Sequence, residues 1–349
     1  MRLRGMGRIR KTIQTVRNKF VSSKAIILIY HRVAEVSSDP QLLCVSPKHF
    51  AEHLKVLQKH YQPIQLQSLA RNLQDGNLAD RAVAVTFDDG YDDNLFSAKP
   101  LLEKYNIPAT VFVTSGYIGE QHEFWWDELD RLLLQPGKLP ENLSLDVNGK
   151  IFLWELGADA FYSQETYQLY RGWSVLEQGN PGIRQSLYRA LCAIMRPLAG
   201  KERQKVLEEL AVWAGMNQDG RTTHRSLSSD EVSKLILKDL VDVGAHTVSH
   251  SVLSTLSTDI QKIEIEGSKQ YLEDIIGRPV TTFSYPYGTR SDYTRNSVAI
   301  VRGAGFACAC SNFEDIVWRS SNPFELPRFL VRDWDGDEFA THLGDWLRG

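Results

Sequence analysis

The sequence predicts an α/β protein built on a parallel sheet or barrel, and three observations carry that prediction. Short runs such as Ala25–Tyr30 and Val83–Phe87 are β-branched or aromatic and apolar without alternation, the mark of strands buried on both faces. Helical patterns with short connections separate these runs, giving the strand–helix–strand order of parallel sheets. Two of the runs end on chemistry-bearing residues, Ala25–Tyr30 on His31 and Val83–Phe87 on Asp88-Asp89-Gly90. Parallel α/β folds collect their functional groups at such strand ends.

Taken in order, the first strand is followed by a helix from Ser46-Pro47 to about His60, with Ser46 as N-cap and Pro47 at the first helical position. After the Asp88 strand, residues 95–105 read as a helix and 107–113 as the next strand. The alternation then stops. From about Glu120 to Ser229 the chain is rich in Trp, Leu, Glu and Arg at helical spacing. Helices are expected from Phe124, over 183–195 and over 202–213, with a hairpin turning at Asn148-Gly149. This stretch is expected to be a mainly helical insertion roofing the site. The alternation resumes with a capped helix at Ser228-Ser229-Asp230-Glu231 and a strand, 241–246, that delivers His246. A helix over 260–276 stops at Gly277, and strands over 281–284, 306–311 and 326–331 precede a closing helix from Glu338.

Composition excludes more than it selects. With 349 residues and a net charge of -3, nothing points to nucleic acid. The four cysteines, Cys44, Cys192, Cys308 and Cys310, contain no C-x-x-C pair, so reduced structural thiols are expected. Residues 1–24 carry eight Lys or Arg and no acid, with Ile9, Ile13, Val16 and Phe20 at helical spacing. That pattern fits a helix lying on an anionic membrane surface, or a solvated terminal helix. The apolar run after it is far shorter than the ~20 residues of a membrane span. The expectation is a cytoplasmic protein without signal peptide or transmembrane helix, peripheral to the inner face of the membrane.

Asp89, His246 and His250 form a set of one carboxylate and two imidazoles, the histidines four apart on a helical turn or tight loop. This donor mix suits Zn²⁺ or a neighbouring divalent ion, and three protein ligands leave room for water and substrate. Asp88, beside a ligand, is placed to act as general base, and His31 as general acid. Asp92 and Asp93 read as helix N-terminal charges. His49, His53, His60, His122 and His224 have no partner pattern.

These residues carry a resemblance. Thr86-Phe87-Asp88-Asp89-Gly90, His246-Thr247-Val248-Ser249-His250 and Phe283-Ser284-Tyr285-Pro286-Tyr287-Gly288 resemble the first three motifs of the polysaccharide deacetylases with the NodB homology domain, carbohydrate esterase family 4. The resemblance covers roughly residues 25–119 and 228–345 and leaves 120–227 outside. It implies a distorted (β/α) barrel of about seven strands. It also implies zinc or another divalent metal on Asp89, His246 and His250, with Asp88 as base. The implied reaction removes acetyl from an N-acetylated saccharide.

Two departures from the family pattern matter. Ser284 stands where the family has the arginine that orients the base; Arg328 is the expected substitute, with Arg290 as alternative. The family's C-terminal Leu-x-His is absent, and Ile29-Tyr30-His31 matches it instead. That order resembles the permuted branch acting on poly-N-acetylglucosamine. By the same resemblance Trp334 is expected to wall the pocket, with Tyr285 and Pro286 at the substrate. The Tyr287 backbone N–H is the expected oxyanion donor. Hydrolysis of another C–N bond, a ureide or cyclic imide, and a silent carbohydrate-binding protein remain as alternatives.

Overall fold

The structure, a computed structural model, describes residues 24–217 and 219–348, so the expected amphipathic helix of residues 1–24 lies outside it apart from Lys24. The main sheet and one hairpin are built from β1 (Lys24–Tyr30), β2 (Gln62–Pro63), β3 (Ala82–Phe87), β4 (Ala109–Val113), β5 (Asn142–Val147), β6 (Lys150–Glu155), β7 (Val241–Ala245), β8 (Thr282–Ser284), β9 (Cys308–Cys310), β10 (Val317–Trp318) and β11 (Phe329–Leu330). The main sheet runs β9-β8-β7-β4-β3-β1-β10, with β2 beside β3 and β11 beside β1. All its pairings are parallel except β1 with β10. The architecture is a distorted barrel with helices, as the alternation of elements predicts.

Burial explains the unalternating strands. Ile26, Leu28 and Tyr30 of β1 pack with Val83, Val85 and Phe87 of β3 against Phe50, Leu54 and Leu57 of helix α1 (Pro47–His60). Ala25, Ile27, Ala82 and Ala84 face the other way, with Phe112, Cys308, Cys310 and the Leu66, Leu69 and Leu73 side chains of α2 (Leu66–Gln74). Apolar residues are therefore required on both faces. All four cysteines are free, with Cys308 and Cys310 buried in β9.

The barrel closes through the segment 326–331. Leu326 bridges Cys310 of β9, and three residues on, Phe329 and Leu330 pair with Leu28 and Ile29 of β1. The sequence predicts one continuous strand here, but Pro327 has no N–H to give, and the segment splits between its two partners. The expected helix over 95–105 is likewise divided into a π-helical turn, Asn94–Ala98, and α3 (Lys99–Tyr105). Pro100 removes a donor from that ladder.

Between β4 and β7 the chain forms α4 (Trp125–Leu133), the β5–β6 hairpin, α5 (Gln164–Tyr170), α6 (Ile183–Met195) and α7 (Gly200–Ala214). The hairpin turns at Asn148 and Gly149, both with positive φ, as a two-residue turn requires. These elements share an apolar cluster of their own, including Trp125, Trp126, Leu129, Leu145, Leu187, Tyr188, Leu191 and Leu210. Helices α8 (Ser229–Leu235), α9 (Thr258–Ile276), α10 (Arg295–Gly303) and α11 (Gly336–Arg348) complete the molecule. Among the described residues no helix is long and apolar enough to cross a membrane.

Candidate active site

The two carboxylates reach one place because the chain turns sharply after β3. Asp88 continues the ladder, its N–H donating to Tyr30 O, and Asp89 then takes a left-handed φ of 75°. Gly90 follows at φ 90°, where an added Cβ would come within 2.9 Å of Val113 Cγ1. Only glycine fits that position.

Asp88 is gripped by an arginine. Arg328, fully buried, donates Nη1 to Oδ1 and Nη2 to Oδ2, both at 2.7 Å. The same guanidinium donates to Ser311 O, Thr86 Oγ1 and Ser284 Oγ, and Ser284 Oγ donates to Asp88 Oδ2. Arg328, just before β11, thus reaches Asp88, and the small Ser284 leaves room for it. Arg290 lies elsewhere, over the Phe313 ring. Burial alone would raise the Asp88 pKa, but Arg328 and His246 outweigh it and hold the carboxyl well below the usual range.

Asp89, His246 and His250 offer ligand atoms that all lie within 4.8 Å of one another, and all three are buried. His250 Nε2 is 3.2 Å and His246 Nε2 3.6 Å from Asp89 Oδ1. His246 Nδ1 sits 2.8 Å from Ser284 O; with the proton on Nδ1, the Nε2 lone pair faces the cluster. The histidines lie on a tight turn, not a helix: Thr247 and His250 have φ of 63° and 54°. Burial lowers the pKa of both, His250 to about 3 with Arg203 adding to the effect, so both are neutral imidazoles near neutral pH. Asp89 Oδ1 has no hydrogen-bond partner among the described residues, and burial pushes its carboxyl up. An orphaned buried carboxylate oxygen between two neutral imidazoles fits a divalent cation.

The cluster lies in a cavity of about 590 Å³ whose lining includes His31, Asp88, Asp89, His246, His250 and Tyr287. His31, half-buried at the tip of β1, has its pKa lowered, by burial first, against the opposing pull of Asp89 and Asp88. The other wall comes from α4 and α6: Trp125, Trp126, Cys192, Ala193 and, just past α6, Arg196. The Trp126 and Tyr287 rings flank His250 edge-on, at 4.9 and 4.8 Å, and Trp125 Nε1 donates to Tyr287 Oη. Tyr287 itself has φ of 61°, and Gly288 after it lies so close to Asn312 that a Cβ would meet its backbone N at 2.6 Å.

Three expectations need correction. Trp334 does not line the cavity: its ring stacks on His342 of α11 at 3.9 Å, and its carbonyl is 2.7 Å from His53 Nε2. The Asp333 side chain next to it accepts from Ser46 N and ties this turn to the start of α1, away from the site. Tyr285 is also absent from the lining, because its ring stacks on Tyr293 at 4.1 Å and its hydroxyl donates to Phe324 O. Pro286 shapes the turn, its carbonyl accepting from Gly288 N, and does not line the cavity. The aromatic wall is supplied by Trp125 and Trp126. In the sequence they read only as the start of an amphipathic helix, and nothing local aims them at His250.

Comparison with known proteins bears on the fold and the domain type. The family model for polysaccharide deacetylases matches residues 75–137 and 205–308. The chain is 22% identical over 342 residues to a poly-beta-1,6-N-acetyl-D-glucosamine N-deacetylase of Staphylococcus aureus, covering 94% of this chain and 84% of that protein. Over 112 residues it is 34% identical to YxkH of Bacillus subtilis, named for polysaccharide deacetylation, but the match spans only 39% of that protein. Among solved structures, IcaB from Ammonifex degensii superposes with a TM-score of 0.58 at 16% identity, covering 94% of this chain and 98% of that one. The Streptococcus pyogenes deacetylase PplD, in complex with acetate, gives 0.57 at 17%, covering 94% and 99%. Fold, motifs and family model converge: the chain carries a polysaccharide deacetylase domain of the NodB type, matched over residues 75–137 and 205–308.

Proposed function

We propose that this protein is a metal-dependent N-deacetylase of an amino-sugar-containing saccharide or saccharide–lipid intermediate, with Asp89, His246 and His250 holding the metal. The observation that carries the reading is the adjacency of two differently treated carboxylates: Asp88 is paired by Arg328, and Asp89 is left to the two imidazoles. When bound, a divalent ion, zinc by the donor mix, supplies Lewis acidity that polarises an acetamide carbonyl and makes water more acidic.

The chain's own groups do the rest. Asp88, kept ionised by Arg328, takes a proton from the attacking water, whose oxygen bonds to the acetyl carbon. The backbone N–H of Tyr287 faces the developing oxyanion. His31 gives a proton to the sugar nitrogen as the C–N bond breaks, leaving a free amine and acetate. A general base or acid of this kind contributes about 10²–10⁴ in rate.

Residues 25–119 and 228–345 form the deacetylase barrel in this reading, and 120–227 an insertion that roofs it. An apolar wall of Leu43, Leu176, Trp125, Trp126 and Leu330 supports a substrate with an apolar portion near the acetamide, such as a lipid-linked saccharide. The basic segment 1–24 would bring the enzyme to the anionic cytoplasmic face where such intermediates are made. Acetate release from a panel of N-acetylated oligosaccharides and lipid-linked sugars tests the reaction and its substrate. Cleavage of a ureide or cyclic imide in preference to every acetamide would overturn it.

A further inference from the structure

Deepening that reading, and resting on Asp89, His246 and His250 as metal ligands, a second feature concerns what holds the turn that carries His250. The turn is strained: Thr247, a β-branched residue, and His250 both lie in the left-handed region. Such conformations persist only where the surroundings over-determine them.

Its backbone groups are taken up one by one. Thr247 O and Val248 O accept from Ser115 N and Gly116 N. His250 N donates to Thr247 Oγ1. The N–H groups of Val248 and Ser249 donate to Glu264 Oε2 at 2.9 and 2.8 Å, and Ser249 Oγ donates to Oε1 at 2.6 Å. Opposite, the Arg203 Nη2 donates to Ser249 O at 2.5 Å and reaches His250 O at 3.4 Å.

Arg203 is an unusual residue for that work. It sits near the start of α7, is 2% exposed, and among the described residues forms no ion pair with a carboxylate and leaves its Nη1 without a hydrogen-bond partner. A buried guanidinium without an acid is costly; among the described residues its side-chain hydrogen bonds go to the two carbonyls at the second histidine, and its Cζ lies 5.7 Å from the Trp125 ring. Gly200 lets α7 come this close: a Cβ there would lie 2.6 Å from Ser249 Cβ.

We propose that Arg203 from the helical segment and Glu264 from α9 are positioning residues that grip opposite sides of the 247–250 turn and hold His250 in its ligating position. The helical segment then does more than cover the cavity; it completes the metal-binding loop.

The test is Co²⁺ titration of the metal-stripped protein, read by the visible absorption of the bound ion and by circular dichroism. Arg203→Met is expected to weaken Co²⁺ binding about 10–100-fold and to change the absorption band, as loss of an outer partner to a ligand does. Glu264→Gln is expected to act in the same direction, and Arg203→Lys to recover part of the affinity. Arg184→Met is the control for general loosening. Arg184 is buried in the same segment but donates to Leu133, Gln135, Gly137, Asp159 and Ala160 carbonyls, so its loss should lower the melting temperature and leave Co²⁺ affinity unchanged. Wild-type affinity and spectrum in Arg203→Met, or an equal loss in Arg184→Met, overturns the proposal. If Arg203→Met does not fold, wild-type affinity in Glu264→Gln overturns it equally. Wild-type protein that binds no Co²⁺ overturns the metal reading itself, which separates the two failures.

Discussion

Asp88 can serve as a base only if it stays ionised while 3% exposed, and the Arg328 fork is what keeps it so. Replacing Asp88 by Asn keeps the shape and removes the proton acceptor. We expect Asp88→Asn to lose about 10²–10⁴ in turnover while binding metal as well as wild type; near-normal turnover would rule Asp88 out as base. Replacing Arg328 by Met strands a buried carboxylate, which should cost about 3–5 kcal/mol in chemical denaturation as well as most activity. In the sequence Arg328 is only one of two candidates, because nothing local to residue 328 records that β11 runs beside β1, whose other neighbour β3 ends at Asp88. The cluster of Asp89, His246 and His250 is legible in the sequence since each residue lies within a short motif. The pairing of Asp88 and Arg328 spans 240 residues, and sequence spacing carries no trace of it.

At the scale of elements, the strands and their tips could be read because both faces are buried and apolar, which periodicity alone reports. The split at Pro327 and the π-turn at Asn94–Ala98 were missed through proline's lost donor, a local effect with tertiary consequences. Trp334 was misplaced for a different reason. Its expected role came from resemblance, and the turn that bears it is pulled to α1 by Asp333 and stacked on α11. The cavity wall is built by α4 instead. Trp126→Leu is therefore expected to raise KM for an N-acetylated saccharide severalfold, whereas Trp334→Leu should lower the melting temperature and leave KM unchanged. Steady-state kinetics on the two variants decide this, and the reverse pattern would return Trp334 to the site.

For the molecule as a whole, a buried carboxyl on α4 links stability to pH. Burial pushes Asp127 up to about 8, against the pull of Arg32, with Glu123 adding to the rise. Tyr91 Oη donates to it at 2.6 Å, and Trp126 Nε1 donates in turn to Tyr91 Oη. The folded pKa lies above the unfolded value near 3.8, so the folded state binds the extra proton between the two. Its contribution is present in full below the unfolded pKa and is lost as pH rises through about 8. Melting temperature should therefore fall from about pH 6 to about pH 9 in wild type, and fall less steeply in Asp127→Asn. Equal slopes would show that Asp127 is already ionised in the fold.

Acetate release from N-acetylglucosamine oligomers, followed while zinc is titrated into the metal-stripped protein, bears on the whole account. Activity should rise with zinc, level off at one ion per chain, and be absent in His246→Ala at the same zinc concentrations. Full acetate release before any metal is added, or undiminished release from His246→Ala, would contradict it.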